Sequence, residues 1–138
     1  MDQNKRLWEK CVEFHGHECG GLTLGYKAAL YIIDQMQLDL EEDGCVCADE
    51  DIVCVAENNA CSVDAIRVVL GCTEAHGNLN FRLTGEQAYT VFHRARRKAL
   101  RVVLIDRPEG ISREQSFAYY QSKEPAQLFM ATPMNFGL

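Results

Sequence analysis

No C-x-x-C occurs in the chain although it holds seven cysteines, so zinc ribbons, thioredoxin-type redox sites and ferredoxin-type clusters lack their usual signature. Neither a P-loop nor a G-x-G-x-x-G is present, which leaves nucleotide binding without support. No G-x-S-x-G supplies a serine hydrolase elbow. Positive charge is short as well: 14 Lys and Arg face 20 Asp and Glu, a formal charge of −6, which argues against a duplex-binding module. The one basic run, Arg94, Arg96, Arg97, Lys98 and Arg101, has no stacking aromatics beside it and reads as a solvated hairpin turn. No segment reaches the roughly 18 apolar residues of a membrane span; the best, Leu22 to Ile33, is interrupted by Lys27. The first turns carry Asp2, Lys5, Arg6, Glu9, Lys10 and Glu13, not the apolar run of a signal peptide. The expectation is a cytoplasmic protein that binds neither nucleic acid nor membrane. Thiols stay reduced in that compartment, so an odd number of cysteines points to metal or redox chemistry and away from a disulfide frame.

What is present suits one globular domain over residues 1–138. Hydrophobic residues make up 47% and charged residues 25%, and a chain of this length buries roughly two thirds of its unfolded surface. Leu7 with Cys11 and Trp8 with Val12 stand at i,i+4 spacing, which predicts a helix over 3–14 with Asp2 as its cap. Three glycines within residues 16–21 predict a loop from Phe14 to Gly21. The stripe Leu22, Tyr26, Ala29, Ile33 and Met36 predicts a helix over about 21–37. An acidic loop, Asp39 to Asp51, contains Cys45 and Cys47. Ile52 to Ala56 reads as a buried strand, and the apolar spacing up to Leu70 as a helix that Gly71 stops. Leu79–Arg82, Gln87–Arg94 and Ala99–Ile105 read as strands, the last two as an antiparallel hairpin. Ser112-Arg113-Glu114-Gln115 has the form of a capping box opening a last helix, and Leu128, Phe129 and Met130 suit an edge strand. The fold class expected is α+β, an antiparallel or mixed sheet packed by helices.

Chemistry concentrates in His15-x-His17-x-Cys19. Two imidazoles and a thiol within five residues are borderline-soft ligands suited to zinc, and also to nickel or iron. In an extended stretch, side chains two apart share a side, so the three can converge. The helix that follows favours the Cys19 thiolate. The plainer alternative makes Cys19 a turn cap and one histidine a surface residue, but it leaves the glycines without a packing purpose. Cys61 stands just past the predicted strand, in the first turn of its helix, where ligand residues are often positioned; a small buried hydrophobe is its plain alternative. Glu57 and Asp64 are near enough in sequence to support such ligands, or to serve as a cap and a surface acid. Cys72 follows Gly71, and eleven residues of continuous helix would separate it from Cys61 by about 16 Å. One ion cannot hold both within one chain, so the helix breaks, Cys72 serves a second site, or a symmetric dimer supplies the partner's thiol. Cys11 and Cys54 read as core, Cys45 and Cys47 as exposed loop thiols or a labile second site, and His76 and His93 as isolated structural or surface residues.

The blocks Phe14-His-Gly-His-Glu-Cys-Gly-Gly-Leu-Thr-Leu-Gly-Tyr, Cys61-Ser-Val-Asp-Ala-Ile-Arg-Val-Val-Leu-Gly-Cys-Thr and Gly77-Asn-Leu, in that order, resemble the FmdE family of formylmethanofuran dehydrogenase components over about residues 10–105. The resemblance implies an α+β core, usually homodimeric, with a metal pocket built from the HGHxC loop and the cysteines matched by Cys61 and Cys72. It implies partnership with a molybdenum or tungsten enzyme of one-carbon, formyl-level chemistry. Two departures stand out: the family commonly has Cys-Pro-Gly where this chain has Cys19-Gly20-Gly21, and the C-terminal treble-clef zinc finger of longer members is not in these 138 residues.

Three functions follow as expectations. The first is a zinc-binding homodimeric domain with His15, His17, Cys19, Cys61 and Cys72 as ligands, where an open position would mean catalysis and a closed one structure. A second is a carrier or sensor of metal for a molybdenum or tungsten enzyme, without turnover. Another is a thiol redox protein using Cys19 or Cys61, which needs a resolving cysteine close by.

Overall fold

The computed structural model describes residues 2–40 and 51–135. Cys45 and Cys47 therefore lie outside the described residues. Two helices open the chain, α1 (Asp2–His15) and α2 (Gly20–Met36), followed by β1 (Ile52–Ala56) and α3 (Ser62–Leu70). Then come β2 (Leu79–Phe81), β3 (Ala88–His93), β4 (Lys98–Leu104), α4 (Arg113–Ser122), the single turn α5 (Pro125–Leu128) and β5 (Phe129–Met134). Among the described residues, no helix is long and apolar enough to cross a membrane.

The sheet is mixed, in the order β2-β1-β3-β4-β5. β1 and β2 are parallel, with Cys54 opposite Leu79, and α3 makes the crossover between them. Every other neighbour is antiparallel, and Cys54, Val91 and Leu100 form one row across three strands. The expected edge strand is β5, which pairs only β4 and carries Pro133, a residue tolerated at an edge because it donates nothing to a ladder. Ile52, Cys54, Ala56, Tyr89, Val91 and Val102 point into the core, while Val53, Val55, Thr90 and Phe92 alternate with them toward the opposite, half-exposed face.

α2 is the central helix, with Leu22, Leu24, Ala28, Ala29 and Ile32 all buried. It passes α3 so closely that a Cβ on Gly25 would overlap the Ser62 carbonyl oxygen. A Cβ on Gly20 would overlap the Ser116 Oγ of α4, and one on Gly21 would come 3.0 Å from the Cys61 Cβ. These glycines thus have packing purposes, contrary to the expectation. They also do not make a loop from 14 to 21: α1 runs to His15 and α2 starts at Gly20, leaving residues 16–19 between them. Helix-on-helix contact outweighs the weak helix propensity of glycine here. Asp2, expected as the cap of α1, is its first residue.

The basic hairpin turn is more than solvated. Arg96 Nη1 donates to the carbonyls of Met36 and Gln37 at 2.7 and 2.9 Å, so the β3–β4 turn closes the C-terminus of α2. Lys27 does the same for α4, donating to the carbonyls of Gln121 and Lys123 at 3.2 and 2.7 Å.

Candidate metal centre

Two helix ends build the site. Gly16 takes φ +102°, a backbone that suits glycine, and its N–H returns to the Val12 carbonyl at 2.7 Å. α1 stops with His15 as its last residue, and the chain reverses. Cys19 then caps α2 in an extended conformation, its Sγ accepting from the Leu22 N–H at 3.4 Å. Thr23 fixes the same residue from inside the helix, its N–H and hydroxyl donating to the Cys19 carbonyl at 3.1 and 2.9 Å. The histidines and the thiol converge, but through a helix end, a glycine turn and a cap, not through the extended alternation expected.

One ligand atom from each of His15, His17 and Cys19 lies within 4.8 Å of the others. His15 Nε2 is 3.7 Å from Cys19 Sγ, and the two imidazole rings have centroids 4.6 Å apart. His15 Nδ1 is 2.7 Å from Asp64 Oδ2. Asp64 is held in turn by Arg67 Nη1 at 2.7 Å, and Arg67 by Glu74 through donors at 3.0 and 2.7 Å. A carboxylate on one ring nitrogen selects the tautomer that leaves the other as a lone-pair donor. Here that other nitrogen is Nε2, the atom nearest Cys19.

Cys61 lies beside Cys19, next to but not within the trio whose donor atoms meet within 4.8 Å. It precedes α3 without capping it, with the Cys19 thiol close enough to perturb its own. Partial burial, the Cys19 thiol and then Asp64 push the Cys61 thiol above the ordinary range. Gly21 makes room for it, since a side chain there would crowd the Cys61 Cβ. His15 and Cys19 are half-buried, His17 and Cys61 exposed, so the cluster opens to solvent on one side.

The remaining candidates stand elsewhere. α3 is continuous, and Cys72 lies beyond its far end, fully buried, its Sγ 3.9 Å from the Leu70 carbonyl. Burial and then proximity to Cys72 raise the Cys54 thiol well above its usual range, so these two belong to the core. Cys11 is also core, its thiol pushed up to about 12 by burial and then by Asp64. Glu57 accepts from Arg101 at 2.8 and 2.9 Å and from the Thr84 hydroxyl at 2.9 Å. It serves a cross-strand ion pair on the open sheet face and not the cluster. His76 bonds Thr73 on an exposed turn, and His93 is buried, accepting the Arg96 N–H at 3.2 Å. Asn58, readable in the sequence only as a boundary of the strand, ties the approach to α3 from within: it holds the Ala60 N–H, the Ser62 hydroxyl and the Glu86 carbonyl, and Tyr89 donates to Ser62. Arg67 and Glu74 also escape sequence reasoning. The i,i+3 spacing of Asp64 and Arg67 is a readable signal; the return of Glu74 past Gly71 is not.

A family model described as "FmdE, Molybdenum formylmethanofuran dehydrogenase operon" matches residues 14–130. A protein of Archaeoglobus fulgidus named a probable S-adenosyl-L-methionine-binding protein is 32% identical over 124 residues, 90% of this chain. The chain spans 31% of that relative's length. The crystal structure of a tungsten formylmethanofuran dehydrogenase FmdE-like protein from Syntrophus aciditrophicus superposes with a TM-score of 0.63 at 19% identity, over 97% of this chain and 73% of that one. That likeness is one of fold.

Proposed function

The chain belongs to the FmdE family, and from that premise we propose that it is a metal-binding protein, zinc being the best-suited ion and nickel or iron also fitting the donors. The ligands are His15, His17, Cys19 and Cys61. The observation that carries this is the meeting of three donor atoms within 4.8 Å beside a carboxylate that orients one of them. Isolated surface histidines need no such orienting partner. We further propose, from the family, that the protein serves formyl-level, one-carbon chemistry alongside components of a molybdenum or tungsten enzyme. A zinc ion held there with a position open to solvent supplies Lewis acidity toward a carbonyl or carboxyl oxygen. The chain's own residues do the rest: Asp64 keeps the His15 proton on Nδ1, Arg67 keeps Asp64 aimed, and Gly16 and Gly21 hold the two helix ends close enough to share one ion. Without an open position the same residues make a carrier or sensor, and ligand number separates the two.

Elemental analysis of untagged protein tests the assignment. One zinc per chain is expected, falling to a small fraction in His17→Ala and in Cys61→Ser. Wild-type stoichiometry in both variants would overturn the ligand set.

One observation favours a second reading. The Cys61 thiol lies close enough to Cys19 for Cys19 to push it above the ordinary range, which places by Cys19 the resolving cysteine that a thiol redox protein requires. Hydrogen peroxide would take two hydrogens from the pair, giving one disulfide and two waters. Metal-free protein that loses two titratable thiols to one disulfide under peroxide, and forms no disulfide once Cys61 is serine, would favour this chemistry over zinc binding.

A further inference from the structure

Beside the metal cluster lies an open cavity of about 310 Å³ between the α1–α2 turn and the first turns of α4, lined by Glu18, Cys19, Arg113, Glu114 and Phe117. Ligand clefts run from roughly 300 to 1,000 Å³, so its size suits a small molecule. Arg113 and Phe117 stand at i,i+4 on α4, and Glu114 and Phe117 at i,i+3, so the three present neighbouring side chains. Among the described residues, neither the Arg113 guanidinium nor the Glu114 carboxylate has a side-chain partner. A third charge, Glu18, accepts the Trp8 indole N–H at 3.2 Å, and the Trp8 ring stacks on Phe117 with centroids 6.2 Å apart.

This wall discriminates by charge. One guanidinium and two carboxylates sum to −1, so a simple anion meets one attraction and two repulsions. A simple cation meets the reverse, with Arg113 against it. A molecule bearing both charges satisfies all three groups, its carboxylate on Arg113 in the bidentate manner of that pair and its ammonium near Glu18, Glu114 and the Phe117 ring face. We propose that the cavity binds a small zwitterion, an ammonium and a carboxylate on a short apolar frame, as in an α-amino acid. Cys19 forms one wall, so the ligand sits against the proposed metal centre. Naming the cavity a substrate site rests on that metal reading; its occupancy does not.

Trp8 is the chain's single tryptophan and touches two lining residues, which makes its fluorescence a reporter that needs no metal. Zinc-free and zinc-loaded protein are titrated with L-leucine, isovalerate and isoamylamine, which share a branched apolar frame and carry both charges, the anion alone and the cation alone. Leucine is expected to shift Trp8 emission saturably and to bind at least about tenfold more tightly than either singly charged probe. Arg113→Ala is expected to weaken leucine about tenfold while strengthening isoamylamine, whose repulsion it removes, and Glu114→Gln to weaken leucine while strengthening isovalerate. Both positions are exposed, and unchanged melting temperatures verify that the variants fold. No saturable response to leucine, equal binding of the three probes, or indifference to both substitutions would overturn the proposal. Leucine binding to protein that takes up no zinc would sink the metal reading and leave the cavity standing; zinc uptake without leucine binding would do the opposite.

Discussion

Asp64 is not itself among the proposed ligands, yet it decides which nitrogen His15 presents. Replacing it with alanine removes the 2.7 Å partner of Nδ1 and frees the ring to rotate or change tautomer. Loss of such an orienting carboxylate costs about 10–100-fold in metal affinity, and that loss is expected for Asp64→Ala in competition with a chromophoric zinc chelator. Arg67→Gln, which keeps the carboxylate, is expected to cost less. Equal affinity of Asp64→Ala and wild type would show that His15 needs no orientation. Gly25→Ala tests packing at the same scale. Its Cβ would overlap the Ser62 carbonyl oxygen, backbone against backbone, so α2 and α3 must separate. Overpacking costs about 1–3 kcal/mol and occasionally more, and the upper end is expected in urea unfolding. His15, His17 and Cys19 are legible in the sequence because all three lie in one short segment. Cys61 is legible from its place after a strand. The Asp64–His15 bond joins residues 49 apart, and only the packing of α1 on α3 creates it.

Strands and helices in this fold are tied at their ends by arginines. Arg101 of β4 reaches across β3 to Glu57, just past β1, and its hydrogen bonds hold that carboxyl below the usual range, with Thr84 and Arg82 aiding and partial burial opposing. A carboxyl depressed in the folded state stabilises above its unfolded pKa and ceases to do so as pH falls through the folded value. Glu57→Gln is therefore expected to lower stability at neutral pH and to leave a shallower decline between the ordinary carboxylate range and more acid solution. A wild-type slope across that window would show the pair to be inert. Arg96 serves α2 likewise, and Arg96→Ala, which strips the Met36 and Gln37 carbonyls of their donor, is expected to cost about 1 kcal/mol. Element types are readable from periodicity: β1, β3, β4, α3 and the Ser112 capping box fall within a residue or two of expectation. The α1–α2 boundary departs from expectation because glycine signals a loop locally, whereas Gly20, Gly21 and Gly25 are there to let helices and a cysteine approach. The parallel placement of β2 against β1 is set by the α3 crossover, which no local pattern records.

Among the described residues the helices load one face of the sheet, and none of them covers the other. Val53, Val55, Phe92 and Val103 are half-buried there, with Met130 and Met134 exposed in register beside them. The Glu57–Arg101 pair lines a cavity of about 610 Å³ on this face, and its charges are already matched within one chain. Arg82 lines the same cavity, so covering the face would enclose one charge besides the matched pair. We propose that a second copy covers it, giving the homodimer that the sequence resemblance implies. A stable isologous contact needs about 800 Å² from each partner. Light scattering is expected to return twice the 15.6 kDa chain mass, and Val55→Glu, which sets like charges against each other across a two-fold axis, is expected to halve it. The proposed metal ligands lie on the helical side, away from this face, so zinc per chain should be the same in both forms. A wild-type protein of 15.6 kDa would leave the face exposed and the dimer refuted. A Val55→Glu dimer would instead move the contact to another surface.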